Sequence, residues 1–182
     1  MKFLLLSGSF RSDSRSLAIL NAIQRRFPVH DFVLPDLTVL PFYSEDLAFP
    51  KPTAVEGLIS EVASADGIVV CSPEYNHSVP AVIKNAIDWV SRPAFESVLK
   101  GMPVTIVTQA SSPVGGARAQ AHFKLIFDST LSIIHPVHEM MISDIDRVVG
   151  LDGAIIDAKV SNRLDRHMNG FFDFVVQISR QR

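Results

Sequence analysis

Residues 67–72 read GIVVCS. Their apolar side chains run on without the polar alternation of a half-exposed strand. A strand buried on both faces looks like this, and such strands belong to parallel sheets covered by helices. KFLLLS at 2–7 and PVTIVT at 103–108 have the same character. LSIIHPV at 131–137 is a fourth run, and HDFVLP at 30–35 a weaker fifth, expected nearer an edge.

Helical periods lie between these runs. Leu17, Leu20 and Phe27 share a face of 14–27, and Leu58, Ile59, Val62 and Ala63 a face of 54–65. Ile83, Ala86, Ile87 and Val90 are spaced i, i+3, i+4, i+7. A fourth helix is expected over 117–130, with Phe123, Ile126 and Phe127 on one side. A long last one, about 154–179, lines up Leu164, Met168, Phe171, Val175 and Ile178. Strands alternating with helices predict an α/β domain of three layers with right-handed crossovers. Nothing reads as a repeat or linker, so residues 1–182 are expected to form a single domain. The longest irregular stretch, PDLTVLPFYSEDLAFPKPT at 35–53, carries four prolines.

Composition narrows the class. Hydrophobic residues make up 47% of the chain, enough for a full core. The net charge of −2 comes with no basic block, which argues against a nucleic-acid partner. The single cysteine, Cys71, rules out an intrachain disulfide and a cysteine-rich metal or iron–sulfur site. The amino-terminal run MKFLLL is too short for a signal peptide, and no stretch approaches the roughly 18 apolar residues of a membrane span. A cytoplasmic protein without membrane association is the expectation.

In open sheets of this kind, ligands bind beyond the carboxyl ends of the strands. Three loops therefore matter. The first, SGSFRSDSRS at 7–16, holds five serines, two arginines and one glycine. It lacks the terminal Gly-Lys-Ser/Thr of a Walker A loop and the Gly-x-Gly-x-x-Gly of a dinucleotide fingerprint. A loop entering a helix still offers free N–H groups and a positive dipole end. Ser9, Ser14 and Ser16 add hydroxyls, and Arg11 adds a fork suited to phosphate oxygens. The loop thus fits a phosphate monoester nest. It equally fits a plain helix cap by Ser12, Asp13 or Ser14. Asp13 is expected to point to solvent.

The second loop opens SPEYNHSVPAVIKNAIDWVSRP at 72–93. Pro73 and Pro80 stiffen it, and Tyr75 and Asn76 stand at its apex, where a flat ligand or the chain's own helix could be met. The third, TQASSPVGGARAQ at 108–120, offers Ser111 and Ser112 and the pair Gly115-Gly116, which suits either close approach to a ligand or a tight turn needing positive φ.

Three blocks together, GSFRSDS (8–14), PEYNHSVPAVIKNAIDW (73–89) and GGAR (115–118), resemble the NADPH-dependent FMN reductase family of flavodoxin-like proteins, which includes quinone, azo-dye and chromate reductases. The resemblance implies an α/β/α sandwich with a five-stranded parallel sheet in the order 2-1-3-4-5 and FMN at its switch point. It implies that Ser9, Arg11, Ser14 and Ser16 hold the FMN phosphate, although relatives often carry Asn in place of Ser16. Pro73, Glu74, Tyr75, Asn76 and Ser78 would line the isoalloxazine, with Ser111, Gly115 and Gly116 on the other side. His77 departs from the family, where an aromatic residue is common.

The implied activity is ping-pong transfer of hydride from NADPH or NADH, by way of FMN, to a small acceptor such as a quinone, flavin, azo compound or metal oxyanion. No catalytic side chain and no metal is implied. Structural or interface roles are expected for Arg118 and Lys84. Relatives pair through the helix after the second loop, so a homodimer or homotetramer is expected, with Trp89, Val90, Pro93 and Phe127 supplying apolar surface.

Other classes fit less well. A low-molecular-weight tyrosine phosphatase needs Cys-x5-Arg in the first loop, which has no cysteine. A response-regulator receiver needs acidic residues after the first strand, where SGS stands. His135 and His138, at odd spacing along a strand, should face opposite sides rather than share a metal. The remaining alternatives are an electron carrier of the flavodoxin type and an FMN-binding regulator without turnover.

Overall fold

A computed structural model describes residues 1–150 and 152–180. The chain alternates β1 (Lys2–Ser7), α1 (Arg15–Arg26), β2 (Asp31–Val33), α2 (Thr53–Ala63), β3 (Gly67–Pro73), α3 (Ala81–Val90), β4 (Pro103–Gln109) and α4 (Ala117–Ser129). It ends with β5 (Ile133–Ile134), β6 (Met140–Ile142), α5 (Ile145–Val148) and α6 (Ala158–Ser179). The strands run parallel in the order β2-β1-β3-β4-β5, as the resemblance implied.

The far edge differs from the expectation. β5 is only two residues long and pairs with Pro103 and Val104 at the start of β4. β6 pairs with Val107–Gln109 at its end. β3 occupies the other side of β4, so β5 and β6 form one edge interrupted by residues 135–139. Pro136 lies in that interruption and lacks the N–H a ladder needs. The last helix is also shorter than expected: residues 154–157 form a bridge and a cap, Ile155 against Val149 and the Asp157 carboxylate accepting from Val160 N.

Alternation along the buried strands divides the core in two. Phe3, Leu5, Val69, Cys71 and Val107 face α1, α5 and α6, meeting Ile19, Ile23, Ile145, Leu164, Met168 and Phe171. Leu4, Leu6, Ile68, Val70, Val104 and Ile106 face α2, α3 and α4, meeting Leu58, Val62, Ile83, Ile87, Phe123 and Phe127. Each such side chain contributes about 1.5–3 kcal/mol through burial, which is why unbroken apolar runs, rather than alternating ones, build these strands.

Trp89, Val90 and Phe127 are fully buried, so they supply no exposed apolar surface. The long loop 35–52 covers α3 instead. Trp89 Nε1 and Asn85 Nδ2 both donate to Pro41 O, at 2.8 and 2.9 Å, while Tyr43 N donates to Asn85 Oδ1. Arg92 Nε donates to the Tyr43 hydroxyl. No helix among the described residues is long and apolar enough to cross a membrane.

Candidate active site

β1, β3 and β4 all end at one mouth, a cavity of about 230 Å³. Its first wall is the β1–α1 loop. Gly8 is there because two strands meet: Gly8 N donates to Cys71 O, and a Cβ on Gly8 would lie 2.1 Å from Ser72 Oγ. Ser7 Oγ then donates to Ser9 O, and Ser14 caps α1 by accepting from Leu17 N at 3.2 Å. Among the described residues, the N–H groups of Phe10, Arg11, Ser12 and Asp13 have no hydrogen-bond partner within the chain. Of that run, Arg11 and Asp13 line the cavity, together with Ser9, Arg15 at the α1 amino terminus and Ser14, whose hydroxyl donates to Ser9 O at 3.3 Å. The free N–H groups, the Ser9 hydroxyl and the helix end are a donor set that fits a phosphate.

Arg11 reaches Asp13 through two hydrogen bonds, at 3.0 and 2.8 Å, and both residues line the cavity. Asp13 is solvent-exposed as expected, yet it also stands at the cavity and holds the arginine fork. Both side chains are about two-thirds exposed, so the pair is weak and a phosphate dianion can displace the carboxylate. Ser16 departs from its expected place. It is fully buried, does not line the cavity, and accepts from Gln109 Nε2 at 3.3 Å beneath it. Beside it, burial pushes the Cys71 thiol up to about 12, against a hydrogen bond with Ser16, which leaves no thiolate nucleophile.

The second wall is the loop after β3. Pro73, Glu74 and Tyr75 line the cavity. Tyr75 and Ser78 exchange both backbone hydrogen bonds across a two-residue turn, and Asn76 and His77 at its tip have φ of +48° and +64°. This is the tight hairpin geometry that favours Asn-Gly, here made with Asn-His. Asn76 and Ser78 do not touch the cavity; Ser78 Oγ instead bonds His122 Nδ1 at 2.9 Å. Glu74 crosses to α4, where its carboxylate accepts from Arg118 N, Ala119 N and Arg118 Nη1. Burial alone would raise the Glu74 carboxyl, but those hydrogen bonds outweigh it and hold the group below its ordinary range. Arg118 thus has a structural partner in Glu74, and Lys84 one in Asp88 a turn along α3.

The third wall is Gln109, Ala110 and Ser111. Gly115 and Gly116 lie outside the cavity, both with positive φ. A Cβ on Gly116 would stand 3.0 Å from Thr108 Cβ, so the pair serves the turn into α4. The sequence reading missed Gln109, Ala110, Arg15, Ile145 and Asp146 as cavity residues. The Ser111 hydroxyl donates to Asp146 at 2.7 Å, and Arg15 bonds it from the other side. The Ser111 hydrogen bond outweighs burial and, with smaller help from Arg15 and Arg11, holds the Asp146 carboxyl below the usual range.

A donor-rich loop at the switch point of a parallel 2-1-3-4-5 sheet defines a protein of the flavodoxin-like class. Residues 1–146 match the family described as NADPH-dependent FMN reductase. An NAD(P)H-dependent FMN reductase of Pseudomonas aeruginosa is 36% identical over 174 residues, covering 92% of this chain and 91% of the relative. A quinone reductase of Escherichia coli is 33% identical over 178 residues, covering 95% and 94%. Among solved structures, the flavoenzyme NAD(P)H:(acceptor) oxidoreductase FerB from Paracoccus denitrificans superposes with a TM-score of 0.89 at 28% identity, over 97% of each chain. The chain belongs to the NADPH-dependent FMN reductase family and is by that membership an oxidoreductase.

Proposed function

We propose that this chain binds FMN in the cavity at the strand ends and passes reducing equivalents from NAD(P)H to a small acceptor, with quinones the favoured class. The observation that carries the reading is the β1–α1 loop, where Arg11 and Asp13, whose N–H groups have no partner among the described residues, line the cavity with Ser9 and Ser14. These groups and Arg11 would hold the FMN phosphate. Pro73, Glu74, Tyr75, Ala110 and Ser111 would flank the ring system. Asn76, Ser78, Gly115 and Gly116 act one step behind, by shaping the hairpin and turn that carry those walls, and Ser16 supports Gln109 from below.

Bound FMN supplies a ring that accepts hydride from a dinucleotide and yields it to an acceptor. The protein's own part is to bind and orient. The dinucleotide and the acceptor would use the open face of the cavity in turn, giving ping-pong kinetics. A quinone reductase relative at 33% identity supports the acceptor class. We place the activity in the cytoplasm, in one domain spanning the chain, and in a homodimer or homotetramer. Any self-association would use the exposed aromatics Phe42, Phe49 and Phe95 rather than buried Trp89.

The test is a visible absorption spectrum of the FMN-loaded protein without oxygen. Flavin bands that bleach with NADH or NADPH and return with a quinone support the reductase. Bands that ignore both dinucleotides contradict it and favour a carrier or regulator.

A further inference from the structure

A second cavity of about 360 Å³ lies on the far side of the β1–α1 loop, between the ends of β1 and β2. It joins the first through a smaller one. That link shares Ser9, Arg11 and Tyr75 with the active-site cavity, and Ser9, Phe10 and Val82 with the second. The three cavities therefore lie side by side around residues 8–11.

The second cavity has a distinct chemistry. Its floor is apolar, with Leu17, Leu34, Leu37 and Val82. Phe10 stands over it and is 68% exposed, an aromatic face that the core does not use. Among the described residues, Asp36 is the one charged residue in its lining, which holds no lysine or arginine. Asp36 Oδ1 accepts from Thr38 N and Thr38 Oγ1, which fixes the carboxylate, while Oδ2 accepts nothing from the described residues. An apolar slot, a free aromatic face and one oriented carboxylate oxygen match a purine nucleoside. The base stacks on the aromatic ring and the ribose diol donates to the carboxylate. In the Rossmann dinucleotide motif, whose glycine-rich turn this chain lacks, a carboxylate about 20 residues beyond that turn meets the ribose hydroxyls in this way. Asp36 follows β2 by three residues.

We propose that this cavity takes the adenosine end of the reducing dinucleotide, with the purine against Phe10 and the ribose on Asp36, and that Asp36 makes the protein prefer NADH to NADPH. The assignment rests on the reductase reading above. The nicotinamide end then reaches the active-site cavity past Tyr75. A 2′-phosphate would lie against the Asp36 carboxylate with no cation among the described lining residues to offset it.

The experiment compares kcat/KM for NADH and NADPH in the FMN-loaded protein, its Asp36→Ser variant and its Phe10→Ala variant. Calorimetric titrations with 5′-AMP and with 2′,5′-ADP run alongside. Serine keeps an oxygen to cap Thr38 N, so D36S removes the charge and not the turn. The wild type should favour NADH by about tenfold. D36S should bring the ratio near one by improving NADPH, and should tighten 2′,5′-ADP. F10A should weaken 5′-AMP by about tenfold and raise KM for both dinucleotides with little change in kcat. Preference for NADPH in the wild type, an unchanged ratio in D36S, or unchanged 5′-AMP affinity in F10A would overturn the assignment. If the flavin is still bleached in those cases, the reductase reading stands alone. If neither dinucleotide bleaches it, that reading falls and this one with it.

Discussion

Replacing Glu74 by alanine tests how the site is held together. The Glu74 carboxylate ties the loop after β3 to the amino terminus of α4 through three hydrogen bonds, two from backbone N–H groups and one from Arg118. Its side chain is only 12% exposed, so water replaces those bonds poorly. A hydrogen bond to a charged group contributes about 1.5–3 kcal/mol, and a carboxylate at a helix amino terminus about 0.3–1 more. The three bonds share one anion and do not add, so E74A should lose about 3 kcal/mol at neutral pH. For a chain of this length that is a fall in Tm of about 6–12 °C. The folded carboxyl lies below its ordinary value of 4.5. A depressed carboxyl stabilises above the unfolded value, and the gain disappears as pH falls through the folded one. Urea unfolding of wild type and variant should therefore show a gap at pH 7 that narrows steadily below pH 4.5. A gap that is absent at pH 7, or one that stays constant into acid, would refute the reasoning.

Three other substitutions probe separate parts of the structure. Gly8→Ala places a Cβ 2.1 Å from Ser72 Oγ, and should cost about 1–3 kcal/mol in urea unfolding and weaken FMN binding by moving the phosphate loop. His77→Gly acts in the opposite direction: it relieves a φ of +64° at the hairpin tip and should raise stability by about 1 kcal/mol in the same assay. His167 is buried against Thr105, and burial, with smaller contributions from His135 and Arg163, lowers its pKa from 6.5 to about 4. The unfolded chain takes up that proton first, so wild-type stability should drop by roughly 2–3 kcal/mol between pH 6.5 and 4. NMR titration should place the His167 ring near 4, and His167→Gln should flatten that part of the stability profile.

The parts of the fold that could be read from the chain are those set by local pattern. β1, β3 and β4 are nearly continuous in apolar residues, with Thr105 in β4 the main exception, because both of their faces are covered. The far edge could not be read, because Pro136 splits it and MMI at 140–142 is too short to stand out. Asp146 was lost with it, since its place in the site follows from β6 bringing the chain back beside β4. The first loop was legible as a donor-rich turn, yet sequence spacing could not tell Ser14, facing the cavity, from Ser16, turned under Gln109. Trp89 was misread for a similar reason. A helical period marks the face that meets the sheet, and says nothing of a distant loop, 35–52, folding over the rest. Gly115 and Gly116 do take special backbone conformations, but they pack on Ser143 and Met141 and on Thr108 respectively, and not on the cavity.

The central claim is that the β1–α1 loop holds the phosphate of FMN. Calorimetric titration of the flavin-free protein with FMN and with riboflavin tests it most directly, since the two ligands differ only in that group. Two or three charge-assisted hydrogen bonds should make FMN bind at least about 100-fold tighter. Arg11→Ala and Ser14→Ala should each reduce that ratio. Equal affinity for the two flavins, or a ratio that neither variant changes, would contradict the account.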